Sequence, residues 1–234
     1  RARNIFALIF VLTSFVCSLA LLPQVLAGEK PLVRLALPLG LSLGFQADAL
    51  AVFMALASSL VASVIIVYSF GYIKDYDNQN EYYLMAVLFI GAMMGLVYST
   101  SLILLYLFWE ISAICCWRLI GFYRDELTIQ RANKAFVVTV FGARIMLVGF
   151  FGIWGQTGPF ALTAMKGAES PAWCGALILF GILTKSATFP LHSWLPDAGV
   201  APSPVTSLLH AAVLVKIGVY AYARLFVATF SIPD

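Results

Sequence analysis

The chain has 234 residues, of which 62% are hydrophobic and only 11% charged, and its mean hydropathy is +0.95. Soluble domains carry about 25% charged residues, so this composition excludes one and indicates a polytopic membrane protein. A net charge of +3 spread over short loops excludes a nucleic-acid surface or a polybasic lipid switch, and the lack of long apolar/polar alternation excludes a transmembrane barrel, leaving an all-α bundle.

The first helix is predicted over about residues 5–27, with Pro23 near its end and the polar stretch Gly28 to Arg34 closing it. The start RARN lacks Met and a small-residue cleavage site follows nowhere near, which predicts a chain that begins inside a longer protein. The stretch LALPLGLSLGFQAD has Pro or Gly every few residues and reads as a short extended or hairpin piece at the interface. Residues 1–48 are therefore expected to form a peripheral helix and an interfacial hairpin, and residues 49–228 the main helical body. A second helix starts at Asp48, an N-cap residue type, and runs to about Tyr72. The polar run KDYDNQNEYY closes it.

From Tyr82 to Gly121 the chain is apolar for about forty residues, a rod of about 60 Å at 1.5 Å per residue, twice the hydrocarbon thickness. It must fold back, and Tyr98 to Ser101 is the polar cluster that can turn it. Helices follow at about 82–98 and 102–121, the second carrying Glu110 near mid-membrane. The charged stretch FYRDELTIQRANK (122–134) is expected as a loop, followed by helices at about 135–154, 172–189 and 203–228, the first two joined by the linker GQTGPFALTAMKGAESP. The total is about seven. Arg1, Arg3, Lys74, Arg124, Arg131 and Lys134 fall on one side and Lys30, Arg34 and Lys166 on the other. The positive-inside rule then puts residues 122–134 in the cytoplasm.

Four cysteines (Cys17, Cys115, Cys116, Cys174) lie in apolar runs without CxxC spacing, so they read as packing residues. No metal site and no cofactor are expected. Ionisable residues inside apolar segments carry more information, because each costs several kcal/mol at bilayer depth unless it faces water or a partner. Lys185, His210 and Lys216 are three of these and Glu110 a fourth. Between Lys185 and His210 stand Pro190, Pro196, Pro202 and Pro204, which predict that the helix carrying Lys185 stops near Pro190 and that a fresh helix starts near Ser203. His192, Trp194 and Asp197 are expected to cap and pack the connection that follows. A desolvated Glu110 needs a cation nearby, and Lys185 is the expected partner; titrations of such a pair are coupled. Lys216 lies about 120° around the helix from His210. Arg118 and Arg144 either reach an interface or balance Glu110, and composition assigns neither a role.

Four segments, FWE with LIGF (Phe108 to Phe122), KSATFPLHSWLPDA (Lys185 to Ala198), APSPVTSLLHAA (Ala201 to Ala212) and VKIGVYAYARLF (Val215 to Phe226), resemble a known family. It comprises the antiporter-like membrane subunits of respiratory complex I, the group 4 membrane-bound hydrogenases and the Mrp-type sodium/proton antiporters. The resemblance covers roughly residues 45–230, and TVFGAR (Thr139 to Arg144) looks closer to the large Mrp subunit than to complex I. It implies a fold of about fourteen helices with two inverted five-helix repeats, of which this chain would hold the first. It also implies that Glu110 and Lys185 form a proton-handling pair and that His210 and Lys216 continue the path. The implied function is a proton- or cation-translocating subunit of a redox-driven complex resembling NADH dehydrogenase or hydrogenase, with no redox centre of its own. Alternatives are an Mrp-type sodium/proton antiporter subunit, a membrane partner of a soluble enzyme such as one hydrating carbon dioxide, and a non-conducting scaffold. Implied partners are other membrane subunits, protons, sodium and the bilayer of a prokaryotic plasma membrane.

Overall fold

A computed structural model describes residues 2–36, 42–158, 160–166 and 171–230 of the chain. Among them six helices are long and apolar enough to cross a membrane: α1 (Ala2–Leu26), α2 (Ala49–Tyr72), α3 (Gln79–Tyr98), α4 (Leu102–Ile120), α5 (Glu126–Thr157) and, after two shorter helices, α8 (Ser203–Val227). The shorter ones are α6 (Ala172–Lys185) and α7 (Trp194–Asp197). The expected seven thus consist of six full spans and α6, whose 14 residues reach about 21 Å and cannot cross about 30 Å of hydrocarbon.

Helix starts follow local cap chemistry. The Ala51 amide donates to Asp48 Oδ1 at 2.9 Å and the Leu104 amide to Ser101 Oγ at 3.2 Å, satisfying amides that a first turn leaves without partners. Helix α5 corrects one expectation, since it begins at Glu126 and not near residue 135. Asp125 caps it, taking the Thr128 amide at 3.3 Å and the Thr128 hydroxyl at 2.7 Å. Hydropathy reports the lipid boundary, whereas the helix continues through LTIQRANK into water. The linker after α5 lies partly outside the described residues, at 159 and 167–170, as do Arg1 and the C-terminal 231–234.

Two strands, β1 (Leu32–Ala36) and β2 (Ser42–Gln46), pair antiparallel with Leu32 opposite Gln46 and Arg34 opposite Gly44. The expected turn at Pro38 and Gly40 lies outside the described residues. The hairpin clamps the α3–α4 turn: the Thr100 amide donates to the Gly44 carbonyl at 3.0 Å, and from the other side the Leu162 amide donates to the Thr100 carbonyl at 2.9 Å. The strand and the turn approach so closely that a Cβ at Gly44 would stand 2.1 Å from Thr100 Oγ1, so any larger residue there would force the Thr100 side chain to turn away.

Helix α1 buries little beyond Ala7, Val11, Ser18 and Val25, and lies on α2 and α3. The others form one continuous core in which α5 and α6 make the closest pair, built on small residues as membrane helices often are. A Cβ at Gly181 would meet Met146 Cβ at 2.5 Å, and one at Gly142 would meet Thr184 Oγ1 at 1.9 Å. Helix α8 is interrupted by two π-turns, Leu208–Ala212 and Ala223–Val227, the first closed by the Val213 amide on the Leu208 carbonyl at 3.1 Å.

Candidate ion-handling site

Lys185 is the last residue of α6, which stops there and not near residue 189 as expected. The exit runs through Ser186 and Ala187, the latter at a φ of 51°, a left-handed conformation that ends a helix. Trp194, fully buried, donates its indole N–H to the Thr184 carbonyl at 2.9 Å, filling one acceptor that the broken helix exposes. Tertiary capping, more than Pro190, therefore sets the break. It leaves the Lys185 side chain 0% exposed at the tip of a half-length helix.

Around Lys185 the structure supplies mostly neutral groups. Nζ donates to the Trp109 carbonyl at 3.2 Å and sits 5.4 Å from the centroid of the Trp109 ring, a cation–π distance. The Cys115 and Cys116 thiols and Glu110 lie within electrostatic reach. No ion pair within 4.0 Å joins Lys185 to Glu110 among the described residues. The cation beside Glu110 is instead Arg144 on α5, with Nη1 3.9 Å from Oε1. That same Nη1 donates to the Tyr106 hydroxyl at 3.1 Å. Among the described residues Glu110 Oε1 and the Trp109 indole N–H are both buried without a hydrogen-bond partner, which marks places where water would bond.

The other two expected path residues lie apart. His210 sits on the first π-turn of α8 with its side chain on the outer surface of the chain, and Lys216 is half-buried. No hydrogen bond or ion pair connects either to Lys185 among the described residues. His192 is exposed, its ring 5.6 Å from that of Phe189.

Charged clusters that sequence reasoning missed occupy the two ends of the bundle. At one end Glu81 binds both Arg118, whose Nε donates to Oε1 at 2.6 Å, and Arg124. At the same end Asp197 binds Arg131 and, at 2.6 Å, Lys134, tying α7 to the first turns of α5. Arg118 thus has a partner, and it is Glu81 rather than Glu110. At the opposite end Arg224 grips the Asp48 carboxylate, with Nη2 2.8 Å from Oδ1, and its Nε donates to the Tyr220 hydroxyl at 2.8 Å. The Tyr220 hydroxyl in turn donates a hydrogen bond to the Val97 carbonyl at 2.6 Å. Burial pushes the Asp48 carboxyl up, but hydrogen bonds from Arg224 and the Ala51 amide, with the Arg224 charge, outweigh it and hold the group below its ordinary 3.8. The pair borders an open cavity of about 380 Å³ lined also by Lys30, Lys166 and the hydroxyls of Ser99, Thr100 and Thr163. Asp48 was legible as a cap and Arg224 stood inside a quoted motif; their pairing across 176 positions left no local trace. Among the described residues no group of three or more His, Cys, Asp or Glu side chains is placed to hold a metal.

Residues 99–233 match the family described as NADH:quinone oxidoreductase/Mrp antiporter, transmembrane. Residues 36–83 match the N-terminus of chain 5 of NADH-ubiquinone oxidoreductase (complex I). The chain is similar to the Na(+)/H(+) antiporter subunit A1 of Staphylococcus aureus, with 35% identity over 230 residues that cover 94% of this chain and 29% of that protein. The Newman strain protein shows 35% identity over 221 residues, 90% of this chain and 28% of its own. In fold the chain is similar to a chain of the Mrp complex from Dietzia sp., with a TM-score of 0.87 and 22% identity over 98% of this chain and 44% of that one. It is similar also to a chain of an archaeal membrane-bound sulfane sulfur reductase, with a TM-score of 0.82 and 24% identity over 95% of this chain and 47% of that one. The chain therefore spans less than a third of the curated relatives and less than half of the matched structures. With more than half of its residues matching one family profile, the chain belongs to the NADH:quinone oxidoreductase/Mrp antiporter family of membrane subunits.

Proposed function

We propose that this chain is the first inverted repeat of the large subunit of an Mrp-type sodium/proton antiporter, and that Lys185 is the group in it that takes up and releases the translocated proton. The antiporter setting is preferred to the redox-driven one because the relative at 35% identity is named as a sodium/proton antiporter subunit. The observation that carries the role of Lys185 is its complete burial at the end of a helix too short to cross the membrane. An ammonium there is held by a backbone carbonyl and an indole face, with no ion-pair partner within 4.0 Å among the described residues. Glu110, within electrostatic reach, supplies the charge that can favour or disfavour the protonated form. Broken helices whose ends meet ionisable groups are a common way for transporters to build ion sites.

In this reading the proton leaves Lys185 through buried water towards His210 and Lys216, with the covering surface for His210 supplied by other parts of the assembly. Partners are other membrane subunits, the transported ions are protons and sodium, and the setting is a prokaryotic cell membrane with the Glu81 and Asp197 clusters on the cytoplasmic side. The test is antiport in sealed everted vesicles carrying the full-length subunit in its complex. Lys185→Met should abolish antiport at equal expression, and Lys185→Arg should fail as well, because arginine does not release its proton in proteins. Wild-type rates in both variants would remove Lys185 from the path.

A further inference from the structure

We infer that Arg144 is a positioning residue for Glu110, a permanent cation that competes with Lys185 for the one carboxylate, and that the Tyr106 hydroxyl sets how closely it approaches. The inference rests on the proposed role of Lys185 and adds to it a third, non-titrating member. Its basis is geometric. Arg144 Nη1 lies 3.1 Å from the Tyr106 hydroxyl and 3.9 Å from Glu110 Oε1, so one guanidinium nitrogen is shared between a neutral oxygen it bonds and an anionic oxygen it does not. Glu110 Oε1 is buried and has no hydrogen-bond partner among the described residues, so a guanidinium moving about one ångström closer would find an empty acceptor of the strongest kind. Tyr106 and Glu110 stand at i and i+4 on α4, on one helix face, where the Tyr106 hydroxyl is within hydrogen-bonding reach of both the Glu110 carboxylate and Arg144 and so stands between the two charges.

The position of Arg144 argues against an accidental contact. It lies well inside the span of α5, with 63% of its side chain exposed on this chain. A guanidinium at that depth faces protein or a water-filled cavity and not lipid. Its planar fork can hold Tyr106 and Glu110 together while another group covers its outer side. Lys185 lies within electrostatic reach of the same carboxylate, its Nζ bonded to the carbonyl of Trp109, the residue before Glu110. When Arg144 closes on Glu110, the carboxylate is neutralised and Lys185 loses its counter-charge, which favours release of its proton to water. When Arg144 stays on Tyr106, the charge of Glu110 is available to Lys185.

The charged and titratable groups facing this cluster are Tyr106, Glu110, Cys115 and Cys116 from α4, Arg144 from α5 and Lys185 from α6. From α8, His210 and Lys216 make no hydrogen bond or ion pair with them among the described residues, and Glu81 of α3 is engaged by Arg118 and Arg124 at the end of α4. Removing a permanent cation makes every neighbouring group hold its proton more tightly. The direction of the effect is therefore the same whether Glu110 or Lys185 limits transport.

The experiment is the pH profile of antiport in vesicles carrying the full-length subunit in its complex, for wild type, Arg144→Gln, Arg144→Lys, Tyr106→Phe and Lys185→Met. Arg144→Gln should move the profile to alkaline pH by on the order of one unit. Arg144→Lys, which keeps the charge, should restore it to near the wild-type position. Tyr106→Phe, which removes the acceptor that holds Arg144 back, should move it to acid pH, because a guanidinium closing on Glu110 outweighs the phenol hydrogen bond that is lost. A profile for Arg144→Gln that superimposes on wild type, or an Arg144→Lys profile displaced as far as that of Arg144→Gln, overturns the inference. If Arg144→Gln does not assemble, Tyr106→Phe decides, and an unmoved or alkaline-shifted profile overturns it. The Lys185→Met arm separates the two layers. Wild-type transport there removes the underlying role of Lys185, whereas an inactive Lys185→Met beside an unmoved Arg144→Gln profile removes only the role of Arg144.

Discussion

Replacing Gly142 by alanine tests whether the close α5–α6 contact positions Lys185. The new methyl would stand 1.9 Å from Thr184 Oγ1 and 2.5 Å from its Cγ2, where ordinary contact begins at 3.4 Å, so 3.4 − 1.9 = 1.5 Å of separation is missing. Thr184 cannot easily yield. It is 1% exposed, its hydroxyl donates to the Gly181 carbonyl at 2.7 Å, and its own carbonyl accepts the Trp194 indole at 2.9 Å. Alanine gains about 1 kcal/mol over glycine in helix propensity, while overpacking a close contact costs about 1–3 kcal/mol. With the whole clash directed at a pinned side chain, overpacking wins and a net loss of about 1–2 kcal/mol is expected. Because Thr184 precedes Lys185, the shift also moves the ammonium away from the Trp109 carbonyl, and antiport should fall. Gly155 on the same helix is the matched control, since a Cβ there meets nothing within 4 Å, and Gly155→Ala should be neutral or slightly stabilising. Thermal unfolding of the purified full-length subunit, followed by tryptophan fluorescence, and antiport in vesicles are the two measurements. If Gly142→Ala behaves like Gly155→Ala in both, the contact does not position Lys185.

Two further outcomes are expected. Asp48→Asn removes the partner of a mostly buried Arg224 and should cost about 3 kcal/mol near neutral pH. Because the folded pKa of Asp48 lies below 3.8, its stabilisation is present above that value and fades as the pH falls through the lower folded one. The difference in thermal midpoint between wild type and variant should therefore shrink in acid, and a gap independent of pH would refute the linkage. In a background without reactive native cysteines, an impermeant thiol reagent applied outside intact cells should label a cysteine at Thr163, exposed on the cavity side, and miss one at the exposed Gln130. The reverse pattern would invert the orientation drawn from the charge count.

Much of the fold was legible because its causes are local. Apolar runs of span length, the Asp48 cap and the polar turn before Leu102 each act within a few residues, and α2, α3 and α4 lie close to where those signals put them. The start of α5 was missed because a helix leaving the bilayer stays helical while its composition turns polar. The end of α6 was misplaced because Pro190 is a visible stop, whereas the operative one is Trp194 capping the Thr184 carbonyl from ten residues away. For the site, the depth of Lys185 and Glu110 followed from apolar context, but depth carries no information about facing. That Arg144 stands beside Glu110, and that the π-turn leaves His210 on the outside, depends on helix rotation and crossing, to which no short stretch of residues testifies.

The break and the lysine belong to one physical device. A helix that ends at Lys185 presents the negative end of its dipole to the ammonium, and the Trp109 carbonyl and indole face add two more neutral stabilisers. None of the three titrates, and none depends on how Glu110 is occupied. All three favour the ammonium, and on the proposed role of Lys185 the variable part of its surroundings is the carboxylate one residue beyond that carbonyl. Had α6 continued through residue 189 as a regular helix, the dipole end would have moved beyond Lys185 and the Thr184 carbonyl would have been taken by the helix itself. The ammonium would then have lacked the dipole end, and a buried charge with fewer stabilisers leans on a fixed ion pair, which resists the charge change that the proposed role of Lys185 requires.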